Sequence, residues 1–290
     1  MHNYYIQQER MLNYCIASQP LNFLTKKMIL YIRSSEIYMR KIVAAIYSIY
    51  AFIVFITVMF FLFPFIVIAS FFGKVKGGNM IYTICRLWAD IVMCLWGIRH
   101  KNIYESPKAK DHAVVFVFNH ISYIDIPFMM KAFRHEPIRI LAKAEMAKVP
   151  VFGYIYKNAT VMVDRESDAG RLRSVQQLKR VLAKNISVVI APEGTFNMTY
   201  KPLKEFFNGA FKIAVETNTP IQPVLFLDAY DRLNYNSIFS MTPGKSRAVF
   251  LHEILPGNDP QLLKQKVYDE MEKGLVRYKV SWVRAGNLKV

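Results

Sequence analysis

From Ile42 to Gly73 the chain runs for 32 residues without a charged side chain. A helix needs about 20 apolar residues to cross a bilayer core of about 30 Å, and residues 42–63 alone would suffice. The run is too long for a secretory signal peptide and ends without a small-residue cleavage site. Cations flank both ends: Arg40 and Lys41 before, Lys74 and Lys76 after. Cationic flanks prefer the cytoplasmic side, so one straight span fits poorly. A re-entrant hairpin bent at Pro64 satisfies both ends and is the preferred arrangement. Residues 1–38 precede Met39-Arg40-Lys41, which has the form of a membrane protein's start, and are expected to be a dispensable extension.

A second apolar stretch, residues 79–98, predicts an amphipathic helix at the membrane surface or a core helix of the domain that follows. Its Arg86 and Asp90 stand at i and i+4, where they can pair on one face. Trp88 and Trp96 suit an interfacial position. Residues 39–104 therefore read as a membrane-associated helical segment. With 290 residues, the chain still has room for one large catalytic domain. Lys and Arg number 38 against 21 Asp and Glu, a net charge of +17. Such a surface suits an anionic partner: nucleic acid, an acidic leaflet, a phosphorylated substrate or an acidic carrier protein. The apolar run favours an anionic membrane surface and argues against nucleic acid. Cys15, Cys85 and Cys94 form no metal-type pair, and a disulfide framework is not expected.

After residue 104 short β-rich runs alternate with helical ones. Residues 113–118, 138–142, 160–163, 186–190, 221–227 and 247–254 read as buried strands. Leu172, Val175, Leu178, Val181 and Leu182 follow a helical stripe. Asn208 is placed to cap a helix over 209–217, and residues 260–276 read as a C-terminal helix. The pattern predicts an α/β domain over 105–290, with a mixed, mostly parallel sheet flanked by helices.

Three strand ends carry chemistry. The first strand is followed by Asn119-His120-Ile121-Ser122-Tyr123-Ile124-Asp125. Here a carboxylate can fold back onto one imidazole nitrogen while the other takes a proton. On its own, a histidine so placed can equally be structural. The strand at 186–190 runs into Pro192-Glu193-Gly194-Thr195, delivering a carboxylate to the same edge, where Gly194 lets the backbone come close to a ligand. Glu193 can also be read as a solvated turn residue. The strand at 160–163 ends in Val163-Asp164-Arg165, whose guanidinium suits a phosphate and can also be a surface arginine.

Together these residues resemble the 1-acylglycerol-3-phosphate acyltransferase family, within the wider glycerolipid acyltransferase group. Its Asn-His-x-Ser-x-x-Asp motif matches Asn119 to Asp125, and its Pro-Glu-Gly-Thr motif matches Pro192 to Thr195. Its apolar-Asp-Arg motif matches Val163 to Arg165, and its apolar-Pro-Val strand matches Ile221 to Val224. The match runs from Met39 to Pro256. Two positions depart from the family: Phe196 stands where an arginine is usual, and Ala159 where a glycine often opens the second motif.

The resemblance implies a glycerolipid acyltransferase fold behind an N-terminal membrane segment, and direct transfer without an acyl-enzyme. His120 would act as base, oriented by Asp125. Arg165 would hold an acceptor phosphate, and Glu193 and Gly194 would organise the acceptor side. Asn119, Ser122, Lys143 and Thr195 complete the expected substrate-binding set. The donor would be acyl-carrier protein or acyl-CoA, and the acceptor a lyso-lipid: 1-acylglycerol-3-phosphate, or alternatively a lyso-aminolipid or glycerol-3-phosphate. The active site would face the cytoplasm from the membrane. No cofactor is expected and no metal, since His112, His135 and His252 show no ligand spacing. A lipase using Ser122 as nucleophile would want a Gly-x-Ser-x-Gly elbow, which is missing around that serine.

Overall fold

Short strands that are apolar along their whole length need cover on both faces. The chain provides it with one seven-stranded sheet between helices. The computed structural model describes residues 23–105, 111–164, 167–199 and 201–286. Its strands are β1 (Ile98–Tyr104), β2 (Val115–Phe118), β3 (Ile138–Lys143), β4 (Val161–Val163), β5 (Ser187–Ile190), β6 (Ile221–Phe226) and β7 (Gly244–Phe250). They lie in the order β1-β7-β6-β2-β5-β3-β4. Neighbours run parallel except β6 and β7, which are antiparallel. Every residue of β2, β5 and β6 is buried. The sheet is thus mixed and mostly parallel, as the alternating pattern predicts.

The helices are α1 (Phe23–Ser70), α2 (Gly78–Leu95), α3 (Asp125–Ala132), α4 (Phe152–Ala159), α5 (Asp168–Leu182), α6 (Gly209–Glu216), α7 (Ala229–Arg232), α8 (Pro260–Arg277) and α9 (Ser281–Gly286). β2 is flanked by β5 and β6, so the chain leaves it toward one half of the sheet and returns on the other. The carboxyl end of such a strand is where α/β sheets open a crevice for ligands.

The N-terminal region differs from the expectation in several ways. α1 passes through Pro64 without ending and continues to Ser70. The reversal comes later, at a five-residue π turn over Gly73–Gly77. α2 then returns antiparallel along α1, with the Trp88 indole N–H donating to Phe55 O at 3.4 Å and that of Trp96 to Ala51 O at 3.0 Å. Packing against α2 offsets the N–H that Pro64 lacks. The turn needs glycine at residue 77, where a Cβ would stand 2.4 Å from the Ala69 carbonyl oxygen. It is fastened to the α/β domain by Arg139, which donates to Lys74 O and Val75 O at 3.1 and 3.0 Å. The two tryptophans are buried between helices rather than displayed at an interface.

Arg86 and Asp90 do not pair with each other. Arg86 donates to the carbonyls of Phe133 and Glu136, and Asp90 accepts from Lys131 and Arg134. Both charges of α2 face the end of α3, where better-fixed partners wait. α1 also runs across residue 38, so no break separates an extension from the apolar segment. Residues 1–22 lie outside the described residues. β1 joins the sheet ahead of residue 105; its His100, Lys101 and Asn102 hide its strand character from an apolar pattern.

Candidate active site

β2 ends at Phe118, and the next seven residues form a tight loop that leads into α3. The first of them, Asn119, is buried and staples the loop to the neighbouring strand. Its Oδ1 accepts from Phe226 N at 2.8 Å and its Nδ2 donates to Phe226 O at 3.0 Å. Asp125 opens α3 and turns back under the loop, fully buried. Its Oδ2 accepts from His120 Nδ1 at 2.8 Å, Ile121 N at 2.9 Å and Ser122 N at 3.0 Å. Nδ1 therefore carries a proton in this arrangement and Nε2 presents a lone pair. The His120 side chain keeps a quarter of its surface exposed, against none for Asp125.

Glu193, at the end of β5, is also fully buried. Its Oε1 accepts from His120 N and its Oε2 from Lys204 N, each at 2.9 Å. Asn197 N closes the link by donating to His120 O at 2.8 Å. Burial drives the Glu193 carboxyl up to about 8, opposed by those two amides and reinforced by the charge of Asp125. Gly194 makes the turn after it with φ +72°, a conformation open to glycine and strained for other residues. The turn brings Phe196 edge-on to His120, with ring centroids 4.4 Å apart, and Tyr123 packs against Phe196 at 4.7 Å. Thr195, exposed beside them, accepts from Lys204 Nζ at 2.8 Å.

The expected site residues thus divide. His120, Asp125, Glu193, Gly194 and Thr195 come together at the carboxyl ends of β2 and β5. Asn119, Ser122 and Glu193 were expected to touch substrate, but their polar atoms hold backbone and their side chains are buried. Ser122 Oγ donates to Leu233 O, which leaves it poorly placed as a nucleophile. Lys143 is exposed at the end of β3, two strands from β2, or roughly 10 Å at the usual strand spacing. Asp164 accepts from Ser167 Oγ at 2.8 Å, and Ser167 caps α5 at Gly170 N. Arg165 lies outside the described residues. Asn208 makes no side-chain cap at α6, because its backbone is already helical.

Sequence reasoning missed Asn197 and Trp282. Asn197 is buried; its side chain donates to Lys201 O at 2.9 Å and accepts from Thr199 N at 3.1 Å. Trp282 donates to the same Lys201 carbonyl at 3.1 Å from the C-terminal helix. The Asn-x-Thr spelling of a side-chain turn was a usable signal for the first. Nothing local announces the second. Among the described residues, no cluster of His, Cys, Asp and Glu is arranged to hold a metal ion.

Comparison with known proteins gives a consistent result. Residues 98–227 match the acyltransferase family model. A 1-acyl-sn-glycerol-3-phosphate acyltransferase of Chlamydomonas reinhardtii is 28% identical over 149 residues, covering 51% of this chain and 44% of that protein. A lyso-ornithine lipid O-acyltransferase of Pseudomonas aeruginosa is 31% identical over 120 residues, covering 41% and 45%. The crystal structure of the 1-acyl-sn-glycerophosphate acyltransferase PlsC from Thermotoga maritima superposes with a TM-score of 0.64 at 22% identity, covering 84% of this chain and 98% of that one. The chain spans about half the length of most of the curated relatives it matches, and 78% of the Helicobacter pylori one.

Proposed function

We propose, on the premise of the match between residues 98–227 and the acyltransferase family model, that this chain acylates the sn-2 hydroxyl of 1-acylglycerol-3-phosphate, giving phosphatidic acid. The acyl group comes from a thioester, acyl-carrier protein or acyl-CoA. The observation that carries the reading is the 2.8 Å contact between His120 Nδ1 and buried Asp125, with Nε2 left at the rim of the sheet.

In this mechanism Nε2 takes the proton of the acceptor hydroxyl as its oxygen attacks the thioester carbonyl carbon. Asp125 stabilises the imidazolium so formed. The tetrahedral adduct collapses, the carbon–sulfur bond breaks, and the imidazolium returns its proton to the leaving thiolate. The amides of His120, Ile121 and Ser122 are held by carboxylates, so the oxyanion is stabilised by other donors. Glu193 holds the loop from within, and Gly194 and Thr195 border the acceptor. Arg165 and Lys143, from the ends of β4 and β3, serve an anionic part of the substrates. α1 brings this site to the lipid, on the cytoplasmic face.

The test is acyl transfer to lysophosphatidic acid in membranes, with acyl-CoA and acyl-carrier protein compared as donors. His120→Ala should lower the rate at least about 10²-fold, the low end of a general base's contribution; an unchanged rate would overturn the mechanism. A second reading, a phosphate-free lyso-lipid acceptor, draws on Phe196 and on the lyso-ornithine lipid relative. The same assay with lyso-ornithine lipid as acceptor separates the two.

A further inference from the structure

Between Arg232 and Lys245 the chain carries no charged residue, although 20% of the whole sequence is charged. This stretch, residues 233–243, links α7 to β7. β7 runs antiparallel to β6, and β6 parallel to β2, so the loop lies at the same edge of the sheet as His120. Its tip exposes Ile238 at 67% and Phe239 at 49%.

The loop satisfies much of its own backbone. The amides of Asn234 and Asn236 donate to Ser240 Oγ and Asn234 Oδ1, each at 3.0 Å. Those of Ser237 and Ser240 donate to the carbonyls of Asn234 and Ser237 at 3.4 and 3.2 Å, and that of Phe239 to Ser237 Oγ at 3.1 Å. Peptide groups that enter hydrocarbon must find their partners inside the protein. A tip closed in this way can leave water without stranding these donors.

Both ends of the loop are tied. Met241 is buried, and its amide donates to Ser48 Oγ of α1 at 3.0 Å. Ile238 is three residues away, at most about 10 Å along the chain. On α1, Ile46, Ile49 and Tyr50 stand close to Ser48 in sequence and are exposed. The apolar tip therefore adjoins the uncovered apolar surface of the membrane-length helix. At the other end, Leu233 O accepts from Ser122 Oγ, and the amide of Ser122 is held by Asp125. The loop thus stands between α1 and the loop that carries His120. An acidic carrier protein would find no cation on the tip, whereas the acyl region of a bilayer needs none.

We propose that residues 233–243 form a lipid-inserting loop. Its Ile238–Phe239 tip enters the acyl region of the bilayer beside α1, and the Leu233–Ser122 hydrogen bond passes that seating to the catalytic loop. The lipid contact stands on the geometry alone; its effect on transfer rests on the acyl-transfer reading.

The first experiment reads the contact without turnover. Phe239→Trp, in the full chain reconstituted in phosphatidylcholine–phosphatidylglycerol vesicles, gives the tip a fluorophore, and the native Trp88, Trp96 and Trp282 are buried. The introduced indole should emit to the blue of its value in water, and bromines on the acyl chains should quench this chain more than wild type. An unshifted, unquenched indole would overturn the proposal, as would an indole that responds to acyl-carrier protein and not to vesicles. The second experiment reads transfer. With Ile238→Ser and Phe239→Ser together, the rate on 1-acylglycerol-3-phosphate in vesicles should fall about tenfold or more, since two apolar side chains no longer gain from burial. Leucine at both positions should keep most of the rate. All three chains should act equally on a short-chain acceptor dissolved as monomers, and equal losses on both acceptors would overturn the lipid contact. Ser122→Ala combined with Phe239→Trp tests the link: the quench should stay while the rate in vesicles falls toward the rate on the dissolved acceptor. An unchanged ratio of those two rates would overturn the link. A Phe239→Trp chain that is quenched yet, like wild type, acylates neither acceptor would overturn the acyl-transfer reading and leave the lipid contact standing.

Discussion

Three hydrogen bonds converge on Asp125 Oδ2, while Oδ1 of the same buried carboxyl has no partner among the described residues. This lopsided arrangement fixes the loop and the imidazole through one atom. Glu193 divides its work evenly, one oxygen to each of two loops, and its burial has a measurable consequence. Its carboxyl is raised from about 4.5 to about 8. Below about 4.5 it is protonated whether the chain is folded or not, and it carries no penalty. Between these values the unfolded chain ionises while the folded one keeps its proton, so stability drains away as pH rises and levels off above about 8. Glu193→Gln cannot titrate. Its amide would oppose one of the two backbone donors, a loss of roughly 1–3 kcal/mol that does not depend on pH. Chemical denaturation across that window should therefore show the advantage of wild type over Glu193→Gln shrinking toward alkaline pH. Parallel pH profiles for the two chains would show that Glu193 does not keep its proton in the fold.

At the scale of elements, the C-terminal helix matters to the site through one indole. Trp282 is fully buried, and its N–H holds the Lys201 carbonyl, which also receives the Asn197 side chain. Asn197 in turn holds His120. Trp282→Phe keeps most of the packing and removes the hydrogen bond, so it should lower stability by about 1 kcal/mol. Trp282→Ala should cost about 3–5 kcal/mol. Equilibrium unfolding checks both, and equal effects would mean that packing alone matters. None of this brace was legible in the sequence, because it joins residues 81 apart with no periodic signal. What was legible was local. The buried strands announced themselves as apolar runs, and the His120–Asp125 contact lies within one loop of fixed spacing. β1 stayed hidden because this edge strand carries four consecutive polar residues, Arg99 to Asn102, which break any apolar run or alternation. The reversal was expected at Pro64 because proline breaks isolated helices. Tertiary packing carried α1 past it, and the turn fell where Gly77 permits the closest backbone approach.

The whole molecule is two-sided. Along one side α1 packs through Ala51, Met59, Ile66 and Ala69, and its other side leaves Phe60, Phe61 and Phe65 exposed at 72%, 68% and 58%. Residues Ser34–Ser70 are long and apolar enough to cross a membrane. Yet the second half of α1, from Tyr47 on, is bound to α2, whose Arg86 and Asp90 are tied to α3 and the loop that follows it. A helix held this way presents one face to lipid, and the arrangement suits insertion into the interface, with the α/β domain resting on the headgroups. The net charge of +17 adds attraction to an anionic leaflet. Flotation with vesicles containing anionic lipid tests the geometry. Burying an exposed phenylalanine is worth about 1.5–3 kcal/mol, so replacing all three by serine should weaken vesicle binding by more than about 10²-fold. Serine at Leu262 and Val276, apolar residues exposed at 55% and 58% on α8, provides the control and should leave binding as it was. Raised salt should weaken the wild type further on anionic vesicles than on neutral ones. If the triple variant floats as well as wild type, the exposed face of α1 is not what meets the lipid, and the route by which an insoluble acceptor reaches His120 has to be sought on another face.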